Sequence, residues 1–177
     1  MAVKVKLTNV TLAFPNLFEK SKFGNYGATF IMEPGHANID VVKRAIKQVA
    51  EEDMKGKIPS PSNLCMRSNE EKASYDGFVD GGYYVAANRK EGFAPNQLIK
   101  RDKTSADEDT FYPGCKVNAV VNLWAQDNQW GRKINAELVG VQFAAHGERL
   151  GRGATKIDDD DFDTLPELEE EGADSFF

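Results

Sequence analysis

Val3, Val5 and Leu7 alternate with Lys4, Lys6 and Thr8, and the phase then slips so that Val10, Leu12 and Phe14 form the apolar set. A period of two predicts a strand with one wet face. A slip within it predicts a bulge, because one extra residue reverses the face that every later side chain takes. A strand bent in this way can curve and serve two sides of a barrel. Pro15 and Asn16 are expected to break it.

The same signal returns near the other end of the patterned region. Val117 to Trp124 places Val117, Ala119, Val121 and Leu123 on one face, and Asp127-Asn128 supplies a turn. The last strand, Ile134 to Phe143, slips phase between Leu138 and Val139. Tyr26 to Met32 reads as a strand stopped by Pro34-Gly35, and Tyr83 to Ala87 as another. Ile39, Val42, Ala45, Ile46, Val49 and Ala50 are spaced for a helix. Asn38 is its expected cap, and its expected end lies near Met54. Residues 55–80 are rich in Pro, Ser, Asn and Gly and read as irregular connection, and 88–112 mixes bases, aromatics and turn residues. The expected fold is mainly β, with five or six strands and one main helix. Long bulged strands suit a small closed barrel, and an OB-fold, a five-stranded Greek-key barrel, is the best match.

Charge divides the chain. All 22 Lys and Arg lie at or before Lys156, whereas residues 158–177 hold ten acids and no base. Residues 1–157 therefore carry a formal +4, 22 bases against 18 acids, although the whole chain is at −6. Ten like charges in twenty residues repel one another and cannot support a core. The expectation is a folded domain over 1–152 and a disordered acidic tail over 153–177 that ends Asp174-Ser175-Phe176-Phe177. A length of 177 residues suits one such domain. No apolar run approaches the ~20 residues of a membrane helix, and the first residues lack the apolar stretch of a signal peptide. Cys65 and Cys115 make no disulfide framework and have no metal-ligand spacing. The expected compartment is the cytoplasm, with no membrane contact and no cofactor.

This layout resembles phage and bacterial single-stranded DNA-binding proteins, in which an OB-fold body precedes an acidic tail with a terminal Phe. Val5-Lys6-Leu7-Thr8-Asn9-Val10, Ala13-Phe14-Pro15-Asn16-Leu17-Phe18 and Tyr26-Gly27-Ala28-Thr29-Phe30 carry a resemblance to a phage family of this kind. It implies that the body coats and protects single strands in replication, recombination or repair. It also implies that the tail, through Asp174, Phe176 and Phe177, recruits replication and repair proteins and competes with DNA for a basic groove. The tip departs from the bacterial form, which has Pro before the last residue; Ser175 and Phe176 stand there instead.

Such a groove needs bases for phosphates and flat side chains for stacking. Three clusters interleave the two. The first is Phe18, Lys20, Lys22, Phe23 and Tyr26; the second is Tyr84, Arg89, Lys90, Phe93, Lys100, Arg101 and Lys103; the third is Trp124, Trp130, Arg132 and Lys133. Trp124, at the end of an apolar strand, reads as core and is set apart from the rest. Phe23 and Trp130 are the favoured DNA contacts. No catalytic constellation stands out, so no enzyme is expected. Asp107-Glu108-Asp109 reads as a solvated acidic turn rather than a metal site, and Asp158 to Asp161 lacks the spacing of a calcium loop. An annealing or recombination mediator would use the same groove. A DNA-mimic inhibitor of a host factor would need acids over a folded surface rather than in a tail. The sequence is compatible with a monomer or a homodimer.

Overall fold

In the computed structural model the described residues are 2–129, 131–150 and 163–165. Trp130 and the expected tail apart from 163–165 lie outside them. The long N-terminal alternation forms β1 (Val3–Asn16), and the next run forms β2 (Tyr26–Met32). One helix follows, α1 (Ala37–Asp53). Then come β3 (Met66–Ser68), β4 (Tyr83–Arg89), β5 (Leu98–Ile99), β6 (Lys116–Asn128) and β7 (Gly131–Ala145).

The expected bulges are present. β1 pairs antiparallel with β6 from Val3↔Leu123 to Thr11↔Lys116, with a register shift between Leu7 and Val10. It pairs with β2 from Thr11↔Ile31 to Asn16↔Gly27, with a second shift between Ala13 and Asn16. The shift spans Pro15, and the strand ends at Asn16, where the sequence places its break. On β7 the pairs Val120↔Gly140 and Val121↔Leu138 leave Val139 as the extra residue, at the slip expected from sequence.

The sheet has seven strands, in the order β3-β4-β2-β1-β6-β7-β5, and not the five or six expected. An additional parallel pairing, Asn88↔Glu137, joins β4 to β7 and closes β4, β2, β1, β6 and β7 into a ring. β3 and β5 lie outside that ring. They arise in the segments read as irregular, because strands of three and two residues carry no usable periodicity.

The core fills the ring. Leu7, Val10 and Leu12 from β1 meet Phe30 of β2, Val85 of β4, Val121 of β6 and Leu138 of β7, all fully buried. The helix contributes Ile39, Val42, Ala45, Ile46, Val49 and Ala50 to the same cluster. Lys43, Arg44 and Lys47 are exposed. No described helix is long and apolar enough to cross a membrane.

The helix start differs from expectation. His36 is the N-cap, its Nδ1 accepting the Asn38 N–H at 3.0 Å. Asn38 is buried inside the first turn, where its Oδ1 accepts the Thr8 N–H at 2.7 Å. Next to it, the Asn9 N–H donates to Asn118 Oδ1 at 2.9 Å, and Asn9 stands at φ 52°. Backbone groups that the bulge removes from the ladder are thus satisfied by side chains, as buried polar groups require. Asn38→Ala should cost about 1–3 kcal/mol of stability, since it leaves the Thr8 N–H without its acceptor. Urea unfolding would measure it, and a loss below about 0.5 kcal/mol would mean that Thr8 finds another partner.

Candidate nucleic-acid interface

The connection between β1 and β2 is a loop held by its own polar groups. The Ser21 N–H donates to the Asn25 carbonyl at 2.8 Å, and the Gly24 N–H to the Ser21 carbonyl at 2.9 Å. Gly24, at φ 84°, makes the left-handed turn that this closure needs. The tip residue Phe23 has no neighbour to cover it and is 81% exposed, with Lys22 Nζ 5.2 Å from its ring centre. Lys20 is exposed beside it. Phe18 turns back toward the core and lies 6.5 Å from Phe111.

Across from this loop, Phe93 is partly buried against the core and meets Tyr26 edge-on at 6.1 Å. The Arg89 guanidinium stacks on Phe93 at 4.6 Å and donates to the Leu138 carbonyl at 3.4 Å. Phe18, Tyr26 and Phe93 line a cleft of about 480 Å³. Next to it, a groove of about 360 Å³ runs between Asn25, the end of β4 at Asn88 to Glu91, Trp124 of β6 and Glu137 of β7. It crosses the strand pair that closes the ring. Two bases, Arg89 and Lys90, face two acids, Glu91 and Glu137.

Trp124 corrects the sequence reading. The buried residues of β6 are Val117, Ala119, Val121 and Leu123, so the next residue points out, and Trp124 is 40% exposed. The alternation itself contained that signal; the usual burial of tryptophan outweighed it. On the same face Lys133 opposes Gln126, two residues along from the Trp124↔Asn135 pair. Tyr84 is a correction in the opposite sense. It is 3% exposed, packed with Ala13, Ile31 and Phe78, so neither ring face is open to a base. Burial, with the Glu71 carboxylate next in weight, raises its phenol above the ordinary value.

Lys100, Arg101, Lys103 and Arg132 do not converge on this groove. Lys100 and Arg101 line a separate hollow with Phe143 and His146 near the end of β7, where Arg101 bonds the Ala144 carbonyl. Lys103 is exposed beside them. Arg132 is engaged by Asp127 at 3.6 Å and by the Met54 carbonyl at 3.3 Å. Trp130, Asp174, Phe176 and Phe177 lie outside the described residues. The acidic turn is a hydrogen-bonded cap: Asp107 Oδ1 accepts the Thr110 hydroxyl at 2.9 Å, and this bond holds its carboxyl below the usual range. Among the described residues no group of three or more His, Cys, Asp or Glu could hold a metal.

Comparison with known proteins places this geometry in a family. The family described as Enterobacter phage Enc34, ssDNA-binding protein, matches residues 3–175. The chain belongs to this family. Protein p50 of Acyrthosiphon pisum secondary endosymbiont phage 1 is 32% identical over 187 residues, covering 96% of this chain and 97% of that protein. Among solved structures, the single-stranded DNA-binding protein from bacteriophage Enc34 superimposes with a TM-score of 0.72 at 21% identity, over 86% of this chain and 87% of that one. The same phage protein in complex with ssDNA gives 0.71 at 20% identity, over 82% and 88%.

The three segments that carry the family resemblance fall on the two bulges of β1, the start of the exposed loop and β2. They fix the frame of the groove rather than its contacts. The two thiols of this family member lie away from the groove and are buried. Burial pushes Cys65 up from 9.0 to about 12. Its neutral form is therefore favoured by the fold. That contribution is intact below pH 9 and is lost as the pH climbs from 9 toward 12. A disulfide reagent at pH 8 should find neither thiol reactive in the native protein and both reactive in denaturant. Rapid native labelling at Cys65 would contradict its burial.

Proposed function

We propose that this protein binds single-stranded DNA across the groove at Trp124, Asn88 and Lys90, with the exposed loop at Phe23 as a second contact. The observation that carries this reading is Trp124. It is an exposed indole on a barrel strand that lines one groove with Arg89, whose guanidinium lies over Phe93 beside Tyr26, in a chain of the phage ssDNA-binding family. Stacking is tolerant of sequence because every base has a flat face. With two bases and two acids around the groove, rings rather than net charge dominate there.

The ring is read as an OB barrel. Its five strands in chain order are β1, β2, β4, β6 and β7, with β3 and β5 as additions. In OB-folds the oligonucleotide contacts the face of the second and third strands and the loops joining first to second and fourth to fifth. Those correspond here to β2–β4, the loop 17–25 and the connection between β6 and β7. Lys20 and Lys22 in the loop, with Lys133 beside that connection, then supply phosphate contacts. The DNA-binding domain is taken as 1–152. Its role is to coat and protect single strands in replication, recombination and repair.

Residues 158–177 complete the proposal. Their ten acids oppose the +4 of residues 1–157, so they compete with DNA for the body, and Asp174, Phe176 and Phe177 offer a charged, aromatic epitope to partner proteins.

Anisotropy titration of a labelled poly-dT oligonucleotide tests the reading. Affinity should fall with salt, and duplex should compete poorly. Trp124→Ala should weaken binding roughly 5- to 150-fold, from ~1–3 kcal/mol per stacked base. Tyr84→Phe should leave affinity unchanged. Wild-type affinity in Trp124→Ala would remove the groove from the interface. A chain ending at Thr155 should bind more tightly than the full chain, most of all near 0.01 M salt, where the Debye length is about 30 Å. Equal affinity at every salt would refute tail competition.

A further inference from the structure

A second aromatic cluster lies on the outside of the barrel. Leu12, Phe30 and Val85 point into the main core, and their chain neighbours Ala13, Ile31 and Tyr84 point the other way. Phe78, from the segment between β3 and β4, covers them and meets Tyr84 edge-on at 5.6 Å. Phe14 and Leu150 pack against this cluster from its rim, Phe14 stacking on Phe78 at 6.0 Å, and Tyr75 stands beside them. Phe14 occupies the second bulge of β1 at φ 47°, a left-handed conformation that a bulky residue adopts only where its surroundings impose it. Such strain clusters at ligand sites. Tyr75 is 39% exposed and meets Phe14 edge-on at 5.4 Å. Lys72 Nζ lies 5.4 Å from the Tyr75 ring centre, 5.8 Å from Phe14 and 5.6 Å from Tyr84.

Packing of the cluster uses one face of Phe14 but does not require an exposed tyrosine beside it. Ring faces with a fixed ammonium among them are what a nucleotide needs: a surface for the base and a charge for the adjoining phosphate. The cluster is also continuous with the groove. Along β4 the outward residues are Tyr84, Ala86 and Asn88, with Ala86 and Asn88 exposed. Four residues of strand span ~13 Å, a distance that a bound single strand of ordinary site size covers.

We infer that Phe14, Tyr75 and Lys72 form a second base-stacking subsite, reached by the same DNA strand after it leaves the Trp124 groove along the outer face of β4. This inference rests on the ssDNA-binding reading above, and its test separates the two.

Full-length protein is irradiated with dT oligonucleotides that carry a single 5-iodouracil at successive positions, and the adducts are mapped by mass spectrometry. An adduct on Tyr75 or Phe14 at one end of the oligonucleotide, with Trp124 or Phe23 adducts at other positions, is the expected result. In parallel, Tyr75→Ala should weaken binding of a long oligonucleotide roughly 5- to 100-fold. It should leave binding of one about four nucleotides long unchanged, because that length occupies the groove alone. Tyr75→Phe, which keeps the ring, should restore long-oligonucleotide affinity. Lys72→Gln should lower the salt slope for the long oligonucleotide by about 0.7. Adducts confined to Trp124 and the loop, with wild-type affinity in Tyr75→Ala, would overturn the subsite and leave the groove standing. Absence of binding at both lengths by the wild-type protein would overturn both.

Discussion

β1 is bent twice, and the rest of the molecule is arranged around those bends. Its first half pairs with β6 and its second half with β2, so the strand passes from one wall of the barrel to the other. Closure of a small barrel demands this stagger. Each bend removes backbone groups from the ladder, and at the first of them Asn38, His36 and Asn118 replace what is lost. His36 is the cap of α1 as well as a partner of the Asn9 carbonyl at 3.3 Å. One short stretch of chain therefore fixes the curvature of the sheet, the start of the helix and the packing of the helix against the core.

The bends were legible because they leave a mark in the order of apolar residues. The slips at Leu7 to Val10 and at Leu138 to Val139 both correspond to register shifts. The helix was legible for the same reason, its apolar residues falling at intervals of three and four. Its cap was not: a histidine whose ring accepts the N–H two residues on looks like any other polar residue in sequence, and Asn38 is the commoner capping type. The closing pair Asn88↔Glu137 was also invisible, since parallel contact between distant strands leaves no local pattern.

Within the interface, local pattern and tertiary cover pulled in different directions. Trp124 reads as core by residue type, although its strand phase turns it outward. Tyr84 has the outward phase of Ala86 and Asn88, yet Phe78 folds over it, and only the assembled structure reveals that cover. The tip of the loop 17–25 is exposed and basic, as the Lys20, Lys22 and Phe23 cluster suggests, whereas Leu17 and Phe18 turn to the core. Lys100, Arg101 and Arg132 show the limit of clustering by sequence. They interleave with aromatics in the chain, but the fold sends them to different ends of β7 or engages them with neighbours.

The β4–β7 junction that closes the ring has one strand pair among the described residues, Asn88↔Glu137, backed by the Arg89 bond to the Leu138 carbonyl, where every other ring junction is an extended antiparallel ladder. A closed sheet with one thin joint behaves as a clasp: breathing concentrates where the fewest bonds must break. The groove lies directly over that joint, with Asn88 on one jaw and Trp124 and Glu137 on the other. A polymer resting on both jaws would act as a latch, tightening the barrel in proportion to its occupancy. Loosening the joint would in turn spread the two walls that hold the polymer. Grip and architectural integrity would then be one mechanical quantity, felt at a single hinge line.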